Sequence, residues 1–294
     1  MSEDGAERVK RMTEFVSKAP CVNPKHLKLR TLREEGPFFR AIFFAKTRDG
    51  RSVAIKCFCL EKAGEKERDQ VCQEFLMASW AGSRGIGAPV VSWNIGSSHG
   101  LLVMDLALGD LEGLFLFREH VSYLLVKDLF AQAFSLVSHP KLVSGGFVCP
   151  DLKLSNFLIY SSEPHKCMAC ELASVVKKGW LSSLKGLALE VKMGDFDPYF
   201  WKCVASEDVS ILNSFFLLAN SLLWKPLKAL KTYLPQSAVD MVGALEKRNS
   251  DVLAVLYRHE ELLKKGPLHY GCLKEKAGSP LDLVLKRLEA SFKD

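Results

Sequence analysis

Apolar and polar positions along the chain fall into three regimes. From His26 to Leu60 they alternate with the two-residue period of half-buried strands, in runs over 26–30, 39–45 and 52–60. Asp49-Gly50 separates the last two runs, a dipeptide that favours a tight hairpin turn. Residues 65–81, EKERDQVCQEFLMASWA, then read as a charged amphipathic helix, and two short strands follow near 90–94 and 101–104. Beyond Gly109 the spacing becomes helical, over 121–138 and again through nearly all of the chain after Asp195, ending with 281–292. Residues 1–25 are polar and poorly patterned, and an extension or tail is expected there.

A β-rich first third before a helix-rich remainder predicts an α+β protein of two lobes, joined near 105–109. The expected divisions are the extension 1–25, a small β-rich lobe with one main helix over 26–107, and a larger, mostly helical lobe over 108–294. The apolar stretch from Ile211 to Trp224 is interrupted by Asn213, Ser214 and Asn220, which reads as a buried core helix and falls short of a membrane span.

Composition narrows the classes further. The 294 residues are 48% hydrophobic and 25% charged, enough apolar material for a sizeable core. The net charge of +6 is scattered, which suits solubility or an anionic ligand and gives no nucleic-acid stripe. Nine cysteines without framework spacing, behind a charged N-terminus, predict a reducing cytoplasmic or nuclear compartment.

Candidate chemistry enters with three motifs in a fixed order. Val53-Ala54-Ile55-Lys56 lies on the third strand, and Glu74 follows on the helix. Pro150-Asp151-Leu152-Lys153-Leu154-Ser155-Asn156 precedes an apolar run, and Gly194-Asp195-Phe196-Asp197 comes later. Singly, each has an ordinary reading: a strand lysine, a solvated helix glutamate, aspartates opening turns. Together and in order they resemble the signature set of the eukaryotic-type protein kinase superfamily, over roughly residues 27–292.

That resemblance implies a bilobal protein-kinase-like fold that binds ATP and Mg²⁺ and phosphorylates Ser/Thr hydroxyls of protein substrates. Phosphoryl transfer needs a polyanion held in line and neutralised, with little covalent work for the protein. Lys56 would hold the α- and β-phosphates, oriented by Glu74. Asn156 and Asp195 would supply hard oxygen ligands to the metal. Asp151 would accept or orient the hydroxyl proton, and Lys153 would reach the transferring phosphate. The resemblance further puts Met104 in the gatekeeper place, the backbones of Asp105 and Ala107 at the adenine, and Ile42, Ala54 and Leu158 around its ring, positions that core packing also explains. Asp208 would brace the catalytic loop, or simply cap a helix.

Several departures qualify the likeness. The glycine places fall at Glu35, Pro37 and Arg40, so the close approach of backbone N–H groups to phosphates is hindered, Pro37 has no N–H at all, and Glu35 brings negative charge; Phe38 and Phe39 would form a greasy lid, with Arg40 supplying charge. Cys149-Pro150 replaces His-Arg before the aspartate, and only 13 positions separate Asp195 from Asp208, so the activation segment is almost deleted. Asp197 replaces a glycine and adds an acid near the metal. An insert of about 161–190 contains His165, Cys167 and Cys170, which invite a zinc reading without an evident fourth ligand. The expectation is a compact, divergent Ser/Thr kinase of the sort found in large DNA viruses, with neither nucleic acid nor membrane as partner. The alternatives are a small-molecule kinase of the aminoglycoside- or choline-phosphotransferase type, and a pseudokinase that acts as a binding scaffold.

Overall fold

Alternation along the first hundred residues becomes a five-stranded antiparallel sheet of order β1-β2-β3-β5-β4: β1 Val22–Glu35, β2 Phe38–Thr47, β3 Ser52–Cys59, β4 Val90–Ile95 and β5 His99–Asp105. The computed structural model describes residues 3–35, 38–116, 123–149, 151–161, 188–196, 202–203, 209–210, 213 and 216–217. The chain divides into two units: Met1–Gly109 with Leu158–Ala188 and Lys192–Tyr199, and the stretches Asp110–Phe157, Leu189–Val191 and Phe200–Asp294.

In the first unit, register assigns each side chain to a face. Ile42 pairs with Lys56, and Ala54 with Met104, so these four share one face with Arg40 and Phe58. The intervening residues Ala41, Phe43, Ile55, Cys57 and Val103 point the other way into a core completed by Met12 and Val16. Those two belong to helix α1, Glu3–Ser17, which packs on β1, β3 and β5. The expected tail is therefore in part a core helix. Val9, Met12, Phe15 and Val16 recur at helical spacing on its inner side, and the charges between them obscure the pattern in the sequence.

Helix α2, Glu65–Gly82, joins β3 to β4 and lies on the Lys56 face. Glu65 and Glu67 in its first turn suit the positive end of the helix dipole. Phe75 is fully buried, its ring 5.7 Å from that of Phe58 and 6.1 Å from that of Trp93. Burying such a side chain is worth about 1.5–3 kcal/mol, enough to fix this helix against the sheet.

The second unit is built on helices. α3, Leu111–Leu116, is capped by Asp110, whose Oδ1 accepts the Gly113 N–H at 2.7 Å. α4, Tyr123–Val137, buries Val126, Leu129, Phe130, Ala133 and Val137, and α5 is Pro140–Ser144. A short pair joins β7, Phe147–Val148, to β10, Lys202–Cys203. A 3₁₀ turn, Leu154–Asn156, follows in this unit, and three short strands lie where the chain passes from one unit to the other: β6 Gly109–Asp110, β8 Phe157–Ser161 and β9 Leu189–Met193. The architecture is α+β, as the patterning predicts. Among the described residues no helix is long and apolar enough to cross a membrane. The helices expected after Gly109 match at α4, whereas 281–292 lies outside the described residues.

Candidate functional site

Lys56 stands in the middle of β3 and is only 6% exposed. A lysine this buried must find partners, because a desolvated unpaired ammonium is prohibitively costly. It has two. Its Nζ is bonded to Glu74 Oε1 from α2, and lies 3.2 Å from Asp195 Oδ1. Burial acts most strongly against its charge, but Asp195 and then Glu74 outweigh it, holding the ammonium above the ordinary lysine pKa. The Arg40 guanidinium opposes them and stacks 6.0 Å from the Phe58 ring, so charge from Arg40 does reach this face.

Asp195 follows β9, whose end is tied to the loop after α2. Met193 N–H donates to Ile86 O at 2.9 Å, and Met193 O accepts from Ala88 N at the same distance. Phe196, 2% exposed, lies so close to Gly87 that a Cβ there would meet its ring at 2.9 Å. Leu158 is equally near Gly194, 2.7 Å from a Cβ built there. Glycine at 87 and 194 thus lets aromatic and aliphatic side chains clamp the backbone on either side of Asp195.

The loop in the second unit is a separate constellation. Lys153 Nζ contacts Asp151 Oδ2 at 2.8 Å, and Asn156 Nδ2 donates to the Asp151 carbonyl at 2.9 Å. Leu152 and Leu154, 1% and 3% exposed, alternate with these polar residues and hold the loop down. Asn213, fully buried, accepts the Cys149 N–H at 3.0 Å and donates to the Val137 and Phe147 carbonyls. Sequence reasoning assigned this bracing to Asp208, which lies outside the described residues, and overlooked Asn213. The signal was present: a polar residue inside an apolar run is buried only when its hydrogen bonds are met.

Of the other expected positions, Met104 is buried in β5 opposite Ala54, and Ile42 sits opposite Lys56. The Asp105 backbone is occupied: its N–H donates to Pro89 O at 2.9 Å, and its carbonyl accepts the Tyr160 hydroxyl at 3.1 Å. Burial, with the nearby Asp105 carboxylate, pushes the Tyr160 phenol pKa up and keeps it a donor. The Asp105 side chain pairs with Arg51. Among the described residues nothing bonds the Ala107 N–H. Phe39 corrects an expectation. It is buried with Met12 and Val16 on the α1 face and is no lid, because a one-residue step along β2 turns it away from Lys56. Pro37, Asp197 and the His165, Cys167, Cys170 group lie outside the described residues.

Chemically, the first unit offers a fixed buried cation beside a carboxylate whose side chain keeps 27% of its surface open. Such a pair can neutralise an oxyanion and offer a hard oxygen to a divalent cation. The second offers a carboxylate with an ammonium at its shoulder. No family model and no curated protein matches the chain.

Proposed function

We propose that the chain is an ATP- and Mg²⁺-dependent phosphotransferase of protein-kinase type, bilobal in fold, acting on Ser/Thr hydroxyls of proteins. The observation that carries this reading is the Lys56–Glu74–Asp195 network, since a lysine held between a helix glutamate and a second acid is the arrangement that phosphate positioning requires. The helix between β3 and β4 and the sheet order β1-β2-β3-β5-β4 support it.

In this reading Lys56 neutralises phosphate oxygens, and Glu74 keeps the ammonium aimed while remaining buried itself. Asp195, and Asn156 in its own unit, offer the oxygens that Mg²⁺ prefers, and the ion would offset charge on the phosphates. Asp151 accepts or orients the hydroxyl proton, with Lys153 near the group in transfer. Apolar Ile42, Ala54, Met104 and Leu158 suit a purine ring, and the Ala107 N–H is a donor for it.

One observation favours a second reading, a non-catalytic nucleotide-poor scaffold. β1 and β2 stay paired to Glu35↔Phe38, leaving two residues where a phosphate-cradling loop would be wider. The test is incubation with Mg-ATP labelled at the γ-phosphate and a generic acceptor protein, comparing the parent with Lys56→Met and Asp195→Ala. Label on protein, lost in both variants, is expected. Transfer only to small alcohols would favour a small-molecule kinase, and absence of any nucleotide-dependent thermal shift would leave the scaffold.

A further inference from the structure

The α1 face of the sheet, opposite Lys56, carries a cluster that phosphotransfer does not use. Cys59 ends β3 and pairs in register with His99, which opens β5; Glu61 follows Cys59 on the way to α2. A thiol sulfur, a carboxylate oxygen and a ring nitrogen from these three lie within 4.8 Å of one another. Cys59 is a free thiol, 7% exposed, and Glu61 opens the cluster to solvent.

His99 is the telling member. It is 4% exposed and stacked on Phe15, with ring centroids 4.7 Å apart. Nδ1 lies 3.0 Å from Ser98 Oγ, whereas Nε2 is buried with no partner. Leaving a buried polar atom unpaired costs about 1–3 kcal/mol, and among the described residues only four side-chain atoms stand so. Two of the four, His99 Nε2 and Arg11 Nε, belong to this neighbourhood.

We propose that Cys59, Glu61 and His99 bind one Zn²⁺ ion, through Sγ, a carboxylate oxygen and Nε2, with water in the fourth position. A thiolate and an imidazole select a borderline-soft transition ion over Mg²⁺ or Ca²⁺. Ser98 on Nδ1 supplies the outer contact that fixes the ring of a ligating histidine. Bonds of about 2.0–2.3 Å to zinc bring ligand atoms to within about twice that length of one another, a span compatible with three atoms that all lie within 4.8 Å. The thiol proton leaves to solvent as the sulfur–metal bond forms. Arg11, whose Nη1 lies 3.1 Å from Glu61 Oε2, is displaced from that carboxylate. The ion ties the ends of β3 and β5 to the segment entering α2, independently of any catalytic reading.

The test uses the full chain, stripped by chelator, in a Cys167→Ser/Cys170→Ser background so that the insert contributes no thiols. Zinc chloride is titrated against a chromophoric competitor, and Co²⁺ replaces zinc for spectroscopy. One equivalent is expected, with a thiolate-to-cobalt charge-transfer band. Cys59→Ser should abolish the band, and Cys59→Ser, His99→Gln and Glu61→Gln should each weaken affinity by about tenfold or more. Arg11→Ala should tighten it. Sub-stoichiometric binding, a band surviving Cys59→Ser, or unchanged affinity in Glu61→Gln would overturn the proposal. Should the buried variants fail to fold by circular dichroism, the exposed Glu61→Gln and Arg11→Ala decide it by their opposite signs.

Discussion

Two lysine–carboxylate pairs, one in each unit, share a chemistry and differ in almost everything else. Lys56 and Glu74 are 18 residues apart, on strand and helix, with side chains 8% and 5% exposed. Lys153 and Asp151 are two residues apart on one loop, with side chains 45% and 26% exposed. The first pair cannot dissolve without stranding a charge in the core. The second trades its partner for water at little cost. One lysine is held by the fold; the other is available to react.

Breaking the first pair is expected to have the largest effect. Glu74→Ala should lower unfolding free energy by about 3–5 kcal/mol, read by urea denaturation, and a loss under 1 kcal/mol would show that Asp195 alone suffices for Lys56. Next comes Asn213→Leu, which leaves the loop residues in place but removes the bonds to Cys149, Val137 and Phe147. It should cost about 1–3 kcal/mol and reduce phosphotransfer without touching a charged group.

Asp110 sharpens the contrast through pH. Burial raises its carboxyl pKa above the ordinary 3.8, despite the Gly113 N–H that lowers it. The folded chain therefore holds that proton more tightly, so the group's contribution is full below 3.8 and is lost as pH rises through the higher folded value. Asp110→Asn should keep the cap and remove that slope from an acid-limb stability profile, while Asp110→Ala should cost about 1 kcal/mol. Smallest of all is Lys153→Ala, expected to change stability by at most about 1 kcal/mol while cutting phosphoryl transfer sharply in the labelled-ATP assay.

The sheet was legible because alternation survives a mixed sequence. All five strands of the first unit and α2 fall where the apolar periods put them. α1 was not: seven of its fifteen residues are charged, and its apolar stripe is narrow. The Lys56–Glu74 pairing was legible through motif order, which physical spacing alone would not have given. Phe39 was misread because strand parity, one position either way, decides which face a side chain takes. The Cys59–His99 neighbourhood was invisible, since it exists only through β3–β5 pairing across forty positions of chain.

The docking of α1 has a consequence for biosynthesis. Leu101 and Val103 of β5 close the core over Met12 and Val16, yet Ser17 leaves the ribosome 82 residues ahead of His99. At about 5–20 residues per second the core begun by α1 with β1, β2 and β3 waits several seconds for its last strand. During that interval the β3 edge that β5 will cover stays open, and slower elongation between α2 and β5 would lengthen the wait.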